Sequence, residues 1–260
     1  MTFNKDIYWL LKDKYNLSPT QISKLEKDES LFSYEMKLDL ERLETDEPIN
    51  YIIGWQEFLG CKIDLRFRPL IPRVETEFWV KNVIDNIINK TTSSNIKILD
   101  LGCGSGCIGI SLLKHLSNCH VTFADISDDA INQTELNLQI NKLKPRRFKF
   151  IKSDLFESIT GKFDYIFCNP PYVDPNGLVP ASLNFEPDVA LFSNDNGLET
   201  AKRFLETTYN FLNPDGTIYM EFGYKQEDFL VDFLNKLNKY KLDFLFDQYN
   251  VKRTLKLDVL

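Results

Sequence analysis

From residue 96 onward, short apolar runs alternate with longer amphipathic stretches, and this alternation limits the fold more than any other feature of the chain. Residues 96–101, 119–124, 148–151, 163–168 and 217–222 have the length and the β-branched or aromatic content of strands. Helical stretches lie between them. One covers 107–116, and another follows Ser127, which stands as an N-cap before Asp128 and Asp129, acids suited to the positive end of a helix. Alternation of this kind predicts an α/β fold with a mostly parallel, doubly wound sheet. Ligands in such sheets bind beyond the carboxyl ends of the strands. The last two apolar runs, 242–246 and 255–259, predict an antiparallel hairpin at the sheet edge.

The first 95 residues read differently. Residues 1–47 are predicted to be helical. Ile7, Leu10 and Leu11 share one face, and Phe32, Met36, Leu40 and Leu43 another. Ser18, Pro19 and Gln21 form a capping-box start. Runs 55–58 and 62–67 predict a β-hairpin, followed by a helix over 75–89 with Val80, Val83, Ile84, Ile87 and Ile88 inward. A polar loop is expected at 91–95. The expected division is a helical domain over 1–50, a hairpin linker over 51–82 and an α/β domain over 83–260.

Composition excludes some functions. The net charge is -7, whereas a protein living on nucleic acid usually carries a basic patch. The one short basic run, with Lys142, Lys144, Arg146, Arg147 and Lys149, reads as a solvated loop. No apolar run approaches the length of a transmembrane helix, and the first ten residues read as neither signal nor transit peptide. Cys61, Cys103, Cys107, Cys119 and Cys168 lack the pair spacing of a zinc site, so no metal is expected; they read as buried thiols in a reducing cytoplasm. His115 and His120 lie away from every motif, which argues against a histidine-dependent mechanism.

The chemistry concentrates at strand ends. Asp100-Leu101-Gly102-Cys103-Gly104-Ser105-Gly106 is a glycine loop that lets the backbone turn sharply and a ligand approach closely. Taken alone, Gly104, Gly106, Gly109 and the later Asp125 also fit a dinucleotide fingerprint, so a nicotinamide dehydrogenase stays open at this point. Asp125 ends the second strand, where it can accept from both ribose hydroxyls, since Ser127 already fills the cap. Asp154 and Leu155 follow the third strand and suit the edge and face of an adenine. Asn169-Pro170-Pro171-Tyr172 closes the fourth strand and decides the reading. Consecutive prolines fix the backbone. The Asn169 side chain and the Pro170 carbonyl can grip both hydrogens of a planar amide or amine and aim its nitrogen at a sulfonium methyl, while Tyr172 packs on the flat group. Positioning and fixed acceptors then supply the acceleration without an obvious general base.

These motifs together resemble the class I methyltransferases of amino groups. More of the chain is similar to one branch. Residues 48–54, Glu57, Phe58, Gly60, the run 71–77, Phe185-Glu186-Pro187 with Ala190 and Leu191, Asn196-Gly197-Leu198, and Glu221-Phe222-Gly223 with Gln226 resemble the HemK/PrmC release factor glutamine methyltransferases. Val74 stands where that family usually has proline, and residues 250–254 are a loose version of its ending. The resemblance implies a Rossmann-like class I methyltransferase fold with a small N-terminal helical domain, a hairpin linker, and S-adenosylmethionine as cofactor. Asp100, Gly102, Cys103, Gly104, Ser105 and Gly106 would hold its methionine part, Asp125 the ribose, and Asp154 and Leu155 the adenine. Asn169 would touch both cofactor and substrate. Asn169, Pro170, Pro171 and Tyr172 would hold the target glutamine, with Asn169, Pro170 and Tyr172 catalytic. The partner would be a peptide chain release factor, methylated in its Gly-Gly-Gln loop in the cytoplasm and recognised in part by the N-terminal helices. No direct contact with nucleic acid or membrane is expected. Glutamine methylation of a ribosomal protein is the near alternative. DNA adenine N6 methylation is disfavoured by the acidic charge and by the lack of a segment for reading DNA, and a silent cofactor-binding module by the complete 169–172 motif.

Overall fold

The computed structural model describes residues 3–90 and 95–260. Strands β1 (Trp55–Phe58) and β2 (Cys61–Asp64) form an antiparallel hairpin. Strands β3 (Ile96–Leu101), β4 (Cys119–Asp125), β5 (Phe148–Lys152), β6 (Phe163–Cys168), β7 (Leu212–Glu221), β8 (Tyr240–Phe246) and β9 (Lys252–Val259) form one seven-stranded sheet in the order β5-β4-β3-β6-β7-β9-β8. The first five in that order run parallel, whereas β9 is antiparallel to both β7 and β8. This insertion of an antiparallel strand departs from the doubly wound dinucleotide-binding order, which places six strands as 3-2-1-4-5-6. The nicotinamide reading left open by the glycine loop loses its support here.

The helices are α1 (Lys5–Asp13), α2 (Pro19–Lys27), α3 (Tyr34–Leu43), α4 (Ile49–Ile53), α5 (Val74–Lys90), α6 (Cys107–His115), α7 (Asp128–Ile140), α8 (Asp188–Leu191), α9 (Asn194–Gly197), α10 (Glu199–Thr208) and α11 (Glu227–Leu237). Asn4, Ser18 and Ser33 cap the first three through their side chains, and Ser18 with Gln21 completes the expected capping box. Leu11, Ile22, Leu25 and Phe32 give these helices a small core of their own. Arg42 and Arg68 both reach Glu47, at 2.8 and 2.5 Å, which ties the helical segment to the chain leaving the hairpin.

Two apolar clusters fill the two faces of the sheet. One joins Phe58 and Ile63 of the hairpin and Trp79, Val80 and Val83 of α5 to Ile98, Ile110 and Phe123. The other joins Leu99, Leu101, Ile166 and Met220 to Phe204, Leu205 and Leu230. The hairpin therefore packs in the same core as the sheet, and α5 runs unbroken through residues 82 and 83, where a boundary was expected. All five cysteines are buried free thiols.

Several expectations need correction. Ile88 is 55% exposed, and Trp79, fully buried, takes the inward face instead. The two residues are nine apart, about half a turn at 100° per residue. Strand β2 ends at Asp64, whose carboxylate accepts the Arg66 N–H at 2.9 Å and turns the chain. The strand expected over 217–222 begins earlier, at Leu212, so that residues 213–216 lie inside β7 at a register irregularity opposite β6. Arg147 is not merely solvated: it donates to the carbonyls of Leu113 and Cys119 at 2.9 and 3.1 Å and closes the end of α6. Residues 91–94 of the expected polar loop lie outside the described residues. No helix among the described residues is long and apolar enough to cross a membrane.

Candidate active site

Strand β3 delivers Asp100 to the glycine loop. The Asp100 side chain is 1% exposed and accepts the Gly109 N–H at 2.8 Å, so it braces the start of α6. Gly109 has to be a glycine: a Cβ there would lie 2.3 Å from the buried Phe123 ring and 2.8 Å from the Asp100 carboxylate. Asp125, at the end of β4, accepts the Gly104 N–H and the Ser127 N–H, both at 2.9 Å. From the other side, α7 supports the loop carbonyls: Thr134 donates to Gly104 at 3.1 Å and Asn137 to Ser105 at 2.9 Å.

Above this loop lies a cavity of about 340 Å³. Gly102, Cys103, Gly104, Ser105, Asp125, Asp154, Leu155, Asn169 and Pro171 all line it. Asp100 and Gly106, expected as direct contacts, do not line it. Burial puts both behind the loop, where Asp100 supports the fold and Gly106, at φ +77, caps α6. Leu155 holds a left-handed φ of 44, fixed by the Ser153 hydroxyl, which donates to the Leu155 carbonyl at 2.8 Å and accepts the Ser158 N–H at 2.9 Å. Asp154 pairs at 2.8 Å with Arg203, another lining residue that sequence reasoning missed.

A second cavity of about 350 Å³ adjoins the first. Asn169, Pro170 and Tyr172 line it, and Asn169, Arg73, Leu70 and Ala190 border both cavities. The 169–172 motif is thus divided, with Pro171 on the first cavity, Pro170 and Tyr172 on the second, and Asn169 at the junction. The side-chain oxygen Oδ1 of Asn169 is buried and has no hydrogen-bond partner. Such an acceptor is costly unless a donor arrives from outside the chain.

Several supporting residues carried no assigned role in the sequence reading. Glu186, 5% exposed, accepts from the Ile71 N–H at 2.9 Å and from Arg73 at 2.6 Å, so it pins the 71–77 run against the second cavity. Glu77 accepts the Leu59 N–H at 2.7 Å and fixes the hairpin turn. Glu221, 2% exposed, accepts from Thr76 at 2.6 Å, Trp79 at 2.9 Å and the Tyr172 hydroxyl at 3.2 Å. Their only sequence signal was membership of the segments that resemble the family. No spacing rule links residue 73 to 186 or 76 to 221. Val74, the departure from that family's proline, is the first residue of α5 and 59% exposed. A first helical position suits proline without requiring it.

Burial shifts several titratable groups around the cleft. Burial pushes the Asp100 carboxyl up to about 7, against the Gly109 hydrogen bond and with help from Asp125. Burial also raises the Asp125 and Glu221 carboxyls from their ordinary values. Burial and the neighbouring Glu221 push the Tyr172 phenol well above its usual value, so it stays a donor at neutral pH. Among the described residues, no group of three or more His, Cys, Asp or Glu is placed to hold a metal ion. The site therefore offers a curved floor of backbone, carboxylates for hydroxyl donors, and a junction rich in acceptors.

Comparison with known proteins agrees with this geometry. The Methyltransferase small domain family matches residues 80–182. The release factor glutamine methyltransferase of Lactococcus lactis subsp. lactis is 38% identical over 204 residues, which cover 76% of this chain and 73% of that one. The enzyme of the same name from Streptococcus pneumoniae is 34% identical over 222 residues, covering 84% and 77%. Among solved structures, the T. thermophilus 16S rRNA methyltransferase RsmC, in complex with AdoMet and guanosine, shares the fold with a TM-score of 0.55 at 18% identity, covering 79% of this chain and 50% of that one. On identity and coverage together, the chain belongs to the release factor glutamine methyltransferase family.

Proposed function

We propose that this protein transfers a methyl group from S-adenosylmethionine to the N5 amide nitrogen of the glutamine in the Gly-Gly-Gln loop of class 1 peptide chain release factors. One observation carries the reading: the buried, unpartnered Oδ1 of Asn169 at the junction of two cavities. One cavity suits a nucleoside-bearing cofactor and the other a side chain entering from a partner. Relatives that carry this name support the choice of substrate.

The residues fit the cofactor. A Cβ built on Gly102 or Gly104 would meet nothing within 4 Å, so a ligand has open room above the loop. Gly102, Cys103, Gly104 and Ser105 would hold the methionine part, Asp125 the ribose hydroxyls, and Asp154 and Leu155 the adenine. Asp100 and Gly106 act behind them by shaping the loop. S-adenosylmethionine, when bound, supplies an electrophilic methyl on a positively charged sulfur.

The remaining work belongs to the chain. Asn169 Oδ1 and the Pro170 carbonyl accept the two hydrogens of the target amide and orient its nitrogen. Two prolines in succession keep those acceptors from relaxing. Fixed acceptors favour the positive charge that develops on nitrogen, and their placement replaces a search for orientation. Tyr172 packs on the plane of the amide. Residues 1–50, with their own small core, would contact the release factor, while the hairpin and the α/β body carry the chemistry. A net charge of -7 favours a protein partner over nucleic acid, and a release factor places the reaction in the cytoplasm.

Incubation with methyl-labelled S-adenosylmethionine and a release factor, intact or with its loop glutamine changed to alanine, tests the proposal. Label on the intact factor alone is the expected result. Label on both, or on neither while the cofactor binds, contradicts it.

A further inference from the structure

Tyr172 sits in a loop that cannot hold itself. Pro170 and Pro171 bring no N–H groups, so the two residues before Tyr172 have no main-chain donors to anchor it. Val173 exchanges backbone hydrogen bonds with Leu191 and Ser193, both at 2.9 Å, and the hydroxyl and carbonyl of Tyr172 are anchored by the end of β7 and the turn beyond it. Glu221 Oε1 accepts the Tyr172 hydroxyl at 3.2 Å, while its other oxygen is held by Thr76 and Trp79. Gln226 donates to the Tyr172 carbonyl at 3.1 Å. The same amide lies 3.3 and 3.2 Å from the carbonyls of Asn196 and Gly197, and its oxygen accepts the Gly223 N–H at 2.8 Å.

Two glycines wall the same residue. A Cβ on Gly197 would lie 2.1 Å from the Tyr172 carbonyl oxygen, and one on Gly223 would lie 3.1 Å from the Tyr172 ring. Gly197 also holds φ +81, so any larger residue there is strained as well as obstructed. None of Gly197, Glu221, Gly223 and Gln226 lines either cavity. A direct role in binding therefore does not explain them, and a role through Tyr172 does.

We propose that Glu221 and Gln226 are positioning residues that grip Tyr172 at its hydroxyl and at its main-chain carbonyl, and so set where the target amide lies. The inference rests on the reading of the second cavity as the glutamine site. Glu221 has no cation partner among the ion pairs of the described residues; three donors hold its carboxylate instead. Burying an acid without a counter-charge is costly, and the arrangement fixes its geometry tightly. A carboxylate only accepts, so the Tyr172 hydroxyl has to donate to it. In Glu221→Gln the amide oxygen stays with Thr76 and Trp79, both donors, and the NH2 turns to Tyr172. The contact then reverses its direction and changes from a charge-assisted bond to a weaker neutral one, so the grip on Tyr172 loosens.

The test is a double-mutant cycle with Tyr172→Phe and Glu221→Gln, read as kcat on an intact release factor and as S-adenosylmethionine affinity by calorimetry. Each single variant is expected to lower kcat about tenfold. Cofactor affinity should stay within about twofold, and the double variant should be no slower than the slower single one. Losses that multiply, or a Tyr172→Phe enzyme with unchanged kcat, overturn the proposal. Tyr172→Phe keeps the ring and decides the matter alone if Glu221→Gln does not fold. A wild-type enzyme that labels no release factor sinks the functional reading instead, whereas an active wild type with a silent Tyr172→Phe sinks only the grip.

Discussion

Asn137 joins the hairpin to the glycine loop: its amide donates to the Ser105 carbonyl at 2.9 Å and to the Asp64 carbonyl at 3.1 Å, and its oxygen accepts the Asp64 N–H at 2.8 Å. The side chain is fully buried in α7, between Gln133, which accepts the Phe67 N–H, and Asn141, which exchanges two hydrogen bonds with Lys62. Spaced four apart, the three amides stand on one face of the helix and serve the free edge of β2 as a strand would. Replacing Asn137 by alanine leaves buried backbone groups at Asp64 and Ser105 unpaired. The expected loss is about 3 kcal/mol, read by urea denaturation, together with weaker S-adenosylmethionine binding. An unchanged unfolding midpoint and unchanged affinity would show that the contacts contribute nothing.

Glu186 offers a second check, because it reaches across more than a hundred residues of sequence to hold Ile71 and Arg73. Glu186→Ala strands the Ile71 N–H and leaves Arg73, which is partly exposed, free to move at the border of both cavities. A loss of about 2 kcal/mol is expected, discounted for the solvent that reaches Arg73. The KM for release factor should rise more than the KM for S-adenosylmethionine. Equal effects on both constants would place Glu186 in the general scaffold.

The buried Asp100 predicts a pH dependence of stability. Its carboxyl is raised from 3.8 to about 7 in the fold, so between those values the folded state binds more protons than the unfolded chain. Its contribution to stability is therefore present at low pH, is lost progressively as pH rises from about 4 to about 7, and then levels off. Asp125 and Glu221 are raised in the same direction and add to the slope. Comparing wild type with Asp100→Asn at pH 5 and pH 8 isolates the single group. The variant should gain relative to wild type at the higher pH, by an amount on the order of 2–4 kcal/mol. Parallel curves for the two proteins would contradict the assignment.

Local signals made much of the molecule legible. The alternation after residue 96, the capping box at Ser18, the glycine loop and the 169–172 motif depend on neighbouring residues, and the sheet and first cavity follow from them. The failures share a different cause. Trp79 and Ile88 exchanged places because both are apolar at helical spacing, and only packing against Phe167 and Glu221 chooses between them. For Asp100 a motif says only that the residue is near the site, and burial behind the glycine loop is visible only in the fold. Residues 174–211 carry no element assigned from sequence; they include the short helices α8 and α9, the latter with Asp195 and Asn196 at positive φ, and then α10. The roles of Glu186 and Gln226 exist only once distant segments meet.

Turnover and cofactor binding of Asn169→Ala, measured side by side, test the central claim most directly. If Asn169 stands at the junction to hold the target amide, kcat on release factor falls by about 100-fold or more, while S-adenosylmethionine binds with at most a modest loss measured by calorimetry. A variant that methylates at the wild-type rate, or one that loses cofactor binding and turnover in equal measure, would contradict the account.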